Sequence, residues 1–477
     1  MKFNIQKKSF FIVLSILIFG SILRVYNINF NDFWSDEMVS YFISDPSLSL
    51  IESFKLIFKS NLMVTFELIL KYYHYLFGYD IHISRYLSVF FNISSLILFY
   101  NFIKKNNNKE SAILGATLLA INIYHIKYAI ELRSYSLTFF LVLIILNLIF
   151  AKGKIKNQFN FIEYILIFIA SLSMLFSHAY SIILLISINS FILLSFLKKK
   201  LFQKELLIIF LIFFLSSILF LFFYIINISH YPSWIQPLKN SFFTNYFFST
   251  YFGSRMLGMI HLLILIFLII KFFKKSYQKL DLKFFLILFL FFSYFIPIIY
   301  SYFFSPALID RYIFFVIIPI LYLISTLTIS IEKMKLKFFF LILLLVANFL
   351  NHFTENTFKQ FYTEIHPSKP EIKKTLLNIK NSEYNKYSII KVENNPYNIN
   401  FVYENYFRNY TKKINDNFYY IDYLDDLNLP DTFWLIYITD ITNKKFQKPI
   451  RLKNYQVSDI KIFNHIESYL LKKNGFK

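Results

Sequence analysis

Two adjacent carboxylates, Asp36 and Glu37, follow Trp34 and Ser35 just beyond the first apolar stretch of the chain. Carboxylates near a membrane surface cost free energy unless they are solvated, paired or used in chemistry. The chain has only 28 Asp plus Glu residues against 50 Lys plus Arg, so an adjacent acidic pair is unexpected. It is either a solvated turn at the interface or a functional pair that supplies a general base or a metal ligand. As a base, it would deprotonate a hydroxyl or amine acceptor and align it for attack.

A second candidate site lies at residues 125–135, between two apolar runs. His125 and Lys127 are followed by Glu131, Arg133 and Tyr135. The basic side chains could simply extend to the lipid headgroups, with Glu131 paired to one of them. Alternatively, Arg and Lys at a membrane surface suit a lipid-linked phosphate, because the planar guanidinium offers two parallel hydrogen bonds.

Other basic and aromatic residues occur at the ends of apolar runs. Arg85 precedes the second run, His178 lies in the fifth-to-sixth hairpin, and Arg311 with Tyr312 opens the tenth. Each could be an interfacial anchor, and a lone His is more often structural than catalytic. Together with the cations of 125–135, however, they lie on the membrane face where few basic residues are expected. We therefore expect their partner to be an anion in that leaflet.

The composition is that of a membrane protein. Apolar residues make up 57% of the chain and aromatic residues 21%, and uncharged runs such as 206–238 and 284–309 exceed the ~20 residues of a spanning helix. The net charge of +22 does not indicate nucleic-acid binding, because most Lys residues lie in short loops between apolar runs. The absence of Cys excludes disulfides and thiol chemistry, and the seven Gly residues disfavour a nucleotide-binding loop.

The apolar runs predict an α-helical polytopic membrane protein with about eleven transmembrane helices. They lie at 9–28, 84–103, 111–127, 134–151, 160–177, 180–197, 205–228, 256–273, 284–304, 312–331 and 337–352. Alternate connections are rich in Lys, namely those near 104–109, 152–156, 198–200, 271–279 and 333–337. This alternation predicts an N-terminus inside the cytoplasm and a C-terminus outside it. No cleavage site follows the first run, which is therefore predicted to be an uncleaved helix.

Two parts of the chain are predicted outside the membrane. The first outer loop, 29–83, belongs to a transmembrane domain 1–352, and its apolar spacing at 51–60 and 65–77 is typical of interfacial helices lying on the membrane surface. The polar segment 353–477 is predicted to form a small C-terminal extracytoplasmic α/β domain. Its predicted elements are a helix at 370–380 and strands at 388–392, 418–422 and 433–439.

The chain resembles the glycosyltransferase C superfamily, in particular the branch of bacterial aminoarabinose-lipid A transferases and protein O-mannosyltransferases. The resemblance covers most of the chain and rests on the order of motifs along it: Arg24-Val25-Tyr26, Trp34-Ser35-Asp36-Glu37, Leu76-Phe77-Gly78, Ser84-Arg85-Tyr86-Leu87-Ser88, Tyr124-His125, Glu131-Leu132-Arg133-Ser134-Tyr135-Ser136-Leu137, Ser177-His178-Ala179-Tyr180, Trp234-Ile235-Gln236-Pro237, and Asp310-Arg311-Tyr312 with Pro319. The chain departs from the family at Asn61-Leu62-Met63-Val64, where the family has His-Pro-Pro. The acceptor pocket is therefore the part that transfers least well.

The resemblance implies an enzyme that takes a sugar from a polyprenyl-phosphate donor and transfers it, with inversion, to a lipid or glycan acceptor, or less readily to a protein. The reaction would take place at the outer face of the bacterial cytoplasmic (inner) membrane. By this likeness Asp36 is the base and Glu37 supports it. The remaining site residues would hold the donor phosphate (Arg85, Lys127, Arg133 and Arg311) or contact the substrates (Trp34, Glu131, Tyr135, His178 and Tyr312). The likeness names no cofactor with certainty, and a divalent metal ion stays open.

Two other functions stay open. A transporter or flippase for a lipid-linked glycan would show repeated halves and broken helices with polar groups at mid-membrane. Here no repeat is visible, and the charged residues lie at the outer edge. A non-catalytic assembly factor that has kept the fold stays open because the His-Pro-Pro motif is missing.

Overall fold

The apolar runs of the sequence form α-helices, in which every backbone hydrogen bond is made inside the segment, as the bilayer requires. The structure, a computed structural model, describes residues 2–26, 28–60, 62–199, 203–227, 235–353, 369–392, 418–421, 429–438 and 454–475. Trp234, which opens one of the motifs, lies outside these ranges. The chain divides into a helical unit (Met1–Tyr26 with Pro46–Thr357) and a mixed unit (Asn27–Asp45 with Phe358–Lys477).

The described residues are mostly helical. The α-helices in chain order are α1 (Lys2–Val25), α2 (Ser35–Ile43), α3 (Leu50–Lys59), α4 (Val64–Phe77), α5 (Ile81–Ser84), α6 (Tyr86–Asn106), α7 (Lys109–Ala120), α8 (Ile123–Ala129), α9 (Tyr135–Ile149), α10 (Phe161–Leu175), α11 (Ile182–Lys199), α12 (Lys204–Asn227), α13 (Phe242–Asn245), α14 (Phe248–Tyr251), α15 (Arg255–Lys279), α16 (Leu282–Phe303), α17 (Ile317–Ile329), α18 (Met334–Asn351) and α19 (Ile372–Asn381). Short 3-10 turns at Ala179–Ser181 and Asp310–Val316 precede α11 and α17. The strands are β1 (Phe150–Ala151), β2 (Lys154–Ile155), β3 (Ser388–Val392), β4 (Phe418–Ile421), β5 (Thr432–Ile438), β6 (Tyr455–Phe463) and β7 (Ile466–Lys473).

Each predicted membrane span coincides with an apolar helix. Within the described residues, seven helices are long and apolar enough to cross a membrane, and α7 with α8 forms an eighth candidate with a bend. Three shorter apolar helices, Phe10–Val25, Tyr135–Ile149 and Phe161–Leu175, occupy the remaining predicted spans. The chain is therefore a multi-pass membrane protein, and the exact number of crossings stays a prediction.

The break between α7 and α8 bends this span by 60°. The carbonyl groups at the end of α7 then lack partners within the helix. Arg24 donates hydrogen bonds to the main-chain oxygens of Ala120 (2.9 Å) and Leu119 (3.3 Å). His352 Nε2 donates to the oxygen of Ile121 (2.7 Å). Side chains from α1 and from the end of α18 therefore hold the break open.

Arg24 is fully buried, although it lies in an apolar helix. Its remaining N–H groups donate to the oxygen of Gly20 (2.7 Å), to Asn92 Oδ1 and to His125 Nδ1 (2.8 Å). Because a guanidinium can only donate, His125 presents an unprotonated Nδ1 here. A buried charge is tolerated when hydrogen bonds replace its hydration, so we interpret Arg24 as a structural residue of the break.

The Lys-rich loops contact one another at one end of the helical unit. The main-chain N–H of Lys152 donates to the oxygen of Lys105 (3.2 Å), and that of Leu282 donates to the oxygen of the residue following Lys152, in the turn between β1 and β2 (2.8 Å). Lys198 Nζ donates to the oxygen of Tyr277 (2.7 Å). Four loops that the sequence assigns to one side of the membrane thus meet in space.

The predicted surface helices at 51–60 and 65–77 correspond to α3 and α4. The Phe58 ring of α3 lies 5.6 Å from the Phe223 ring of α12. The main-chain N–H of Thr65 donates to the oxygen of Phe176 (3.0 Å). Both helices therefore pack on the helical unit, and their position relative to the lipid surface stays a prediction.

The mixed unit contains a five-stranded sheet with the order β4-β3-β5-β7-β6. β3 runs parallel to β4 and β5, whereas β7 is antiparallel to β5 and β6. Apolar residues of the sheet form a core: Ile390, Phe433, Leu435, Tyr455 and Leu471. α19 buries Ile372, Leu376 and Ile379. The predicted helix and three predicted strands correspond to α19, β3, β4 and β5, whereas the β6–β7 hairpin was not predicted.

Residues 27–45 group with the mixed unit, which differs from the domain limits expected from the sequence. The expected boundary at 352/353 lies close to the observed division after Thr357, but the start of the first outer loop was expected within the transmembrane domain. Polar contacts join residues 27–45 to the C-terminal part of this unit. Asp32 Oδ2 accepts from the main-chain N–H of Lys373 (2.8 Å), and Glu37 pairs with Lys369 (3.0 Å).

Candidate functional site

Five residues that the sequence predicts as donor or substrate contacts come together in the helical unit. The His178 ring lies 5.6 Å from the Tyr135 ring and 5.2 Å from the Tyr312 ring. The guanidinium carbon of Arg311 lies 5.9 Å from the Tyr312 ring centroid, and the charges of Arg133 and Arg311 act on His178. We call these five residues the Arg–His cluster. Because α9 and α11 run from this cluster to the Lys-rich loops, the cluster lies at the opposite end of the unit.

His178 is a neutral group within this cluster. Its Nδ1 atom is buried and has no hydrogen-bond partner among the residues that the structure describes. Burial first, and then the positive charges of Arg133 and Arg311, lower the pKa of His178 to about 3. At neutral pH the two arginines therefore carry the positive charge of the cluster, and the imidazole can offer one N–H donor and one acceptor.

The Arg–His cluster is closed in this structure. Four of its residues, Tyr135, His178, Arg311 and Tyr312, line a cavity of about 10 Å³ with neighbouring residues of α9 and of the turn before α17. This space has room for roughly one water molecule. A phosphate group is larger than this space. Binding of such a group would require the side chains at the mouth of the cavity to move apart.

Hydrogen bonds between chain segments hold the cluster together. Its residues come from the start of α9 and from the segments that precede α11 and α17. Ser136 Oγ donates to the main-chain oxygen of Tyr128 (2.7 Å), which fixes the start of α9 against α8. The hydroxyl of Tyr180 donates to the main-chain oxygen of Ala307, which joins the other two segments.

Lys127 and Glu131 lie beside the cluster. Lys127 Nζ is 5.5 Å from the ring centroid of Tyr128, and the Tyr128 ring lies 4.7 Å from that of Tyr135. Glu131 is buried, and both Glu131 and Asp310 are within electrostatic reach of Tyr128. The sequence indicated Asp310 only as part of a motif. The structure adds it to the candidate site as a second acid beside Glu131.

Arg85 lies at the junction of α5 and α6 and is buried. The turn that precedes it is fixed by two hydrogen bonds. The hydroxyl of Tyr73 donates to the oxygen of Ile83 (3.1 Å), and His74 Nε2 bonds Ser84 Oγ (2.8 Å). A role for Arg85 at the donor phosphate stays a prediction.

The acidic pair opens helix α2 in the mixed unit. Trp34 is the N-cap residue, and its main-chain N–H donates to Glu37 Oε2 (3.3 Å). Glu37 is fully buried and pairs with Lys369 through Oε2 and Nζ, 3.0 Å apart. Asp36 is only partly buried. The ion pair accounts for the burial of Glu37, so Asp36 is the better candidate for a base.

No three His, Asp or Glu side chains come close enough to hold a metal ion in the part of the chain that the structure describes.

Two residues that organise these sites were missed in the sequence. An Arg inside an apolar run indicates a buried polar network, so Arg24 could have been identified from the sequence. Lys369 carries no such signal, because its partner Glu37 is 332 residues away and Lys is abundant throughout the chain.

No protein-family model matches the chain, and no curated protein sequence is detectably similar to it. Solved structures do match. ArnT from Cupriavidus metallidurans in the apo state has a TM-score of 0.57 and 9% identity, with 98% of each chain covered. The same protein bound to undecaprenyl phosphate has a TM-score of 0.50 at the same identity and coverage. The Archaeoglobus fulgidus oligosaccharyltransferase with zinc and sulfate has a TM-score of 0.48 and 9% identity, over 83% of this chain and 61% of that chain.

The match to ArnT extends over nearly the full length of both chains. It agrees with the resemblance that the motifs indicate. The chain therefore has the fold of ArnT.

Proposed function

We propose that this protein is an integral-membrane glycosyltransferase that moves a sugar from a polyprenyl-phosphate donor to a lipid or glycan acceptor. The observation that carries the proposal is the Arg–His cluster. Two arginines and a neutral histidine from distant segments converge with two tyrosines at one end of a chain with the ArnT fold. Such a group of cations at a membrane surface suits a lipid-linked phosphate.

The Lys-rich end of the helical unit faces the cytoplasm in this proposal. Cytoplasmic loops of membrane proteins carry the excess of Lys and Arg, and the Lys-rich loops here contact one another. The Arg–His cluster then faces the periplasm or the exterior. The N-terminus is inside, the chain makes about eleven crossings, and the C-terminal sheet lies outside the inner membrane.

The donor phosphate binds to Arg133 and Arg311, with Arg85 and Lys127 as further cations. The structure of ArnT bound to undecaprenyl phosphate supports a polyprenyl phosphate as the ligand class. Because the cavity of the Arg–His cluster holds only about one water, Arg311, which lines it, moves outward to admit the phosphate. His178, Tyr135 and Tyr312 then contact the sugar-phosphate linkage.

The reaction is a displacement at the anomeric carbon. Asp36 accepts the proton of the acceptor hydroxyl, and the hydroxyl oxygen forms a bond to the anomeric carbon. The bond from that carbon to the phosphate oxygen breaks, and its electron pair remains on the released polyprenyl phosphate. The arginines stabilise this charge as it develops. Attack from the opposite side of the ring inverts the configuration.

A transporter for lipid-linked glycans is the alternative. The broken α7–α8 span with buried Arg24 is a feature that transporters use at their binding sites. Here the Arg24 guanidinium is occupied by five hydrogen-bond acceptors of the chain itself. The network therefore stabilises the bend between α7 and α8 and leaves few donors for a substrate. This favours the enzyme over the transporter.

Two measurements test the proposal. In the first, protein in lipid nanodiscs is mixed with undecaprenyl phosphate, and complexes are counted by native mass spectrometry; undecaprenol, which lacks the phosphate, is the matched control. We expect retention of the phosphate form only. Equal retention of both lipids contradicts phosphate recognition.

The second measurement needs no knowledge of the sugar, because every donor of this class releases the same lipid product. Purified protein is added to solubilised membranes of a strain that lacks the gene, and free polyprenyl phosphate is measured over time. We expect its release to depend on the protein. Unchanged levels with correctly folded protein would oppose a transferase and favour the transporter.

A further inference from the structure

The segment that carries Asp36 is bound to the C-terminal part of the mixed unit at two points. Glu37 Oε2 pairs with Lys369 Nζ at 3.0 Å, with side-chain exposures of 0% and 7%. Asp32 Oδ2 accepts from the main-chain N–H of Lys373 at 2.8 Å. The second contact places a carboxylate on an orphan N–H in the first turn of α19, where the helix dipole favours negative charge.

Lys369 is itself held by the turn between β6 and β7. Asn464 Nδ2 donates to the main-chain oxygen of Lys369 (2.7 Å). The main-chain N–H of Asn464 donates to Glu371 Oε2 (2.8 Å), and that of Glu371 donates to the oxygen of Asn464 (3.1 Å). The ammonium group therefore projects from a backbone that two hydrogen bonds fix to the sheet, with a third made by the Glu371 side chain.

Glu37 in turn fixes helix α2. Its carboxylate also accepts from the main-chain N–H of Trp34, the N-cap residue, at 3.3 Å. Successive residues of an α-helix point about 100° apart around its axis. When Glu37 is anchored to Lys369, the rotation of the first turn is set, and the direction of the neighbouring Asp36 is set with it.

We infer that Lys369 is a positioning residue for Asp36, which acts through the buried ion pair with Glu37. The inference rests on the proposed role of Asp36 as base. A misplacement of a catalytic group by about 1 Å can cost roughly 100-fold in rate. Loss of the ion pair therefore lowers the rate of transfer while the Arg–His cluster, in the helical unit, still binds the lipid phosphate.

The first experiment compares three variants in the polyprenyl phosphate release assay. Lys369→Met keeps the length of the side chain and removes its charge, and Lys369→Arg restores a cation. Lys461→Met removes a partly exposed cation of β6 that pairs with Asp459 at 3.5 Å. We expect Lys369→Met to lower kcat about 100-fold, with undecaprenyl phosphate binding changed less than twofold. Lys369→Arg should recover at least a tenth of the parental rate, and Lys461→Met should match the parent.

The second experiment is a double-mutant cycle with Glu37→Gln. In Lys369→Met the buried Glu37 carboxylate has lost its cation, whereas the double variant has a neutral pair at this position. We expect the double variant to be no less active than Lys369→Met, because Lys369→Met alone already breaks the ion pair. If Glu37 instead acts on the substrate directly, Glu37→Gln lowers the activity of Lys369→Met further, and the positioning role is overturned.

The third experiment measures how tightly helix α2 is held, without any catalytic step. Failure of the inference can thus be told apart from failure of the proposed function. The chain has no Cys, and Ser40 of α2 is fully buried, so Ser40→Cys gives a single buried thiol. We expect a soluble maleimide to label it at least tenfold faster when Lys369→Met is added, but no faster with Lys461→Met. Equal labelling with and without Lys369→Met, at parental thermal stability, overturns the inference even if Asp36 proves to be the base.

Discussion

The guanidinium of Arg24 donates a hydrogen bond of 2.9 Å to the main-chain oxygen of Ala120, the last residue of α7. A cation at the end of a helix satisfies an orphan carbonyl and interacts favourably with the negative end of the helix dipole. Arg24 in this way replaces the hydrogen bonds that are lost where the α7–α8 span bends. α8 follows this bend and leads into the loop that carries Arg133 of the Arg–His cluster.

We expect Arg24→Met to destabilise the protein by about 3–5 kcal/mol, the cost of leaving one side of a buried polar network unpaired. The stability of Arg24→Lys should lie between that of Arg24→Met and that of the parent, because an ammonium group cannot reach all acceptors of the planar guanidinium. The free energy of unfolding in mixed detergent micelles measures the effect. Arg255→Met, at an exposed position at the start of α15, is the control. A loss below about 0.5 kcal/mol would mean that Arg24 is no more than a surface charge.

Arg133→Ala should impair use of the donor more than use of the acceptor. Hydrogen bonds to charged groups contribute about 1.5–3 kcal/mol, so the KM for the donor should rise roughly 10- to 100-fold while the KM for the acceptor changes little. The polyprenyl phosphate release assay, run at varied amounts of solubilised membrane, measures the KM for the donor. Arg255→Ala serves again as the matched control. Equal effects on donor and acceptor would remove Arg133 from the phosphate site.

The stability of the protein should fall as the pH drops below about 6.5, in part through His178. The pKa of this group is lowered from 6.5 to about 3 in the folded protein, so between these pH values the unfolded chain binds a proton that the folded chain does not. Stability is then lost as the pH falls, by up to about 1.4 kcal/mol per pH unit for one such group.

His178→Gln removes this titration, and its unfolding free energy should depend less steeply on pH between 6.5 and 5 than that of the parent. Measurements in the same micelles at pH 7, 6 and 5 make the comparison. If parent and variant lose stability in parallel, His178 is charged in the folded protein, and its place as a neutral group in the Arg–His cluster is wrong.

Apolar run length and Lys distribution were sufficient to locate the membrane helices. Uncharged runs of this length have no other stable structure in lipid, so every predicted span coincides with a helix, and the Lys-rich loops meet in space. The sequence also assigned to one membrane face several residues that are neighbours in the structure. Tyr135, His178 and Tyr312 are far apart in the chain, yet their rings are in contact.

The mixed unit was harder to predict, because its elements are short and depend on long-range contacts. β6 alternates imperfectly, and its pairing with β7 contains a bulge between Val457 and Asp459, so the period-2 pattern is interrupted. The union of residues 27–45 with the C-terminal part rests on the Glu37–Lys369 pair and on the Asp32 cap of α19. Single polar contacts across such distances leave no periodic trace in a sequence.

The most direct test of the account is the substitution Asp36→Asn, which keeps the shape of the side chain and removes its basicity. General base catalysis contributes about 10²–10⁴-fold, so we predict that release of polyprenyl phosphate falls by at least 100-fold. Membrane insertion, thermal stability and retention of undecaprenyl phosphate should equal those of the parent. A variant that still releases polyprenyl phosphate at the parental rate would contradict the assignment of Asp36 as the base.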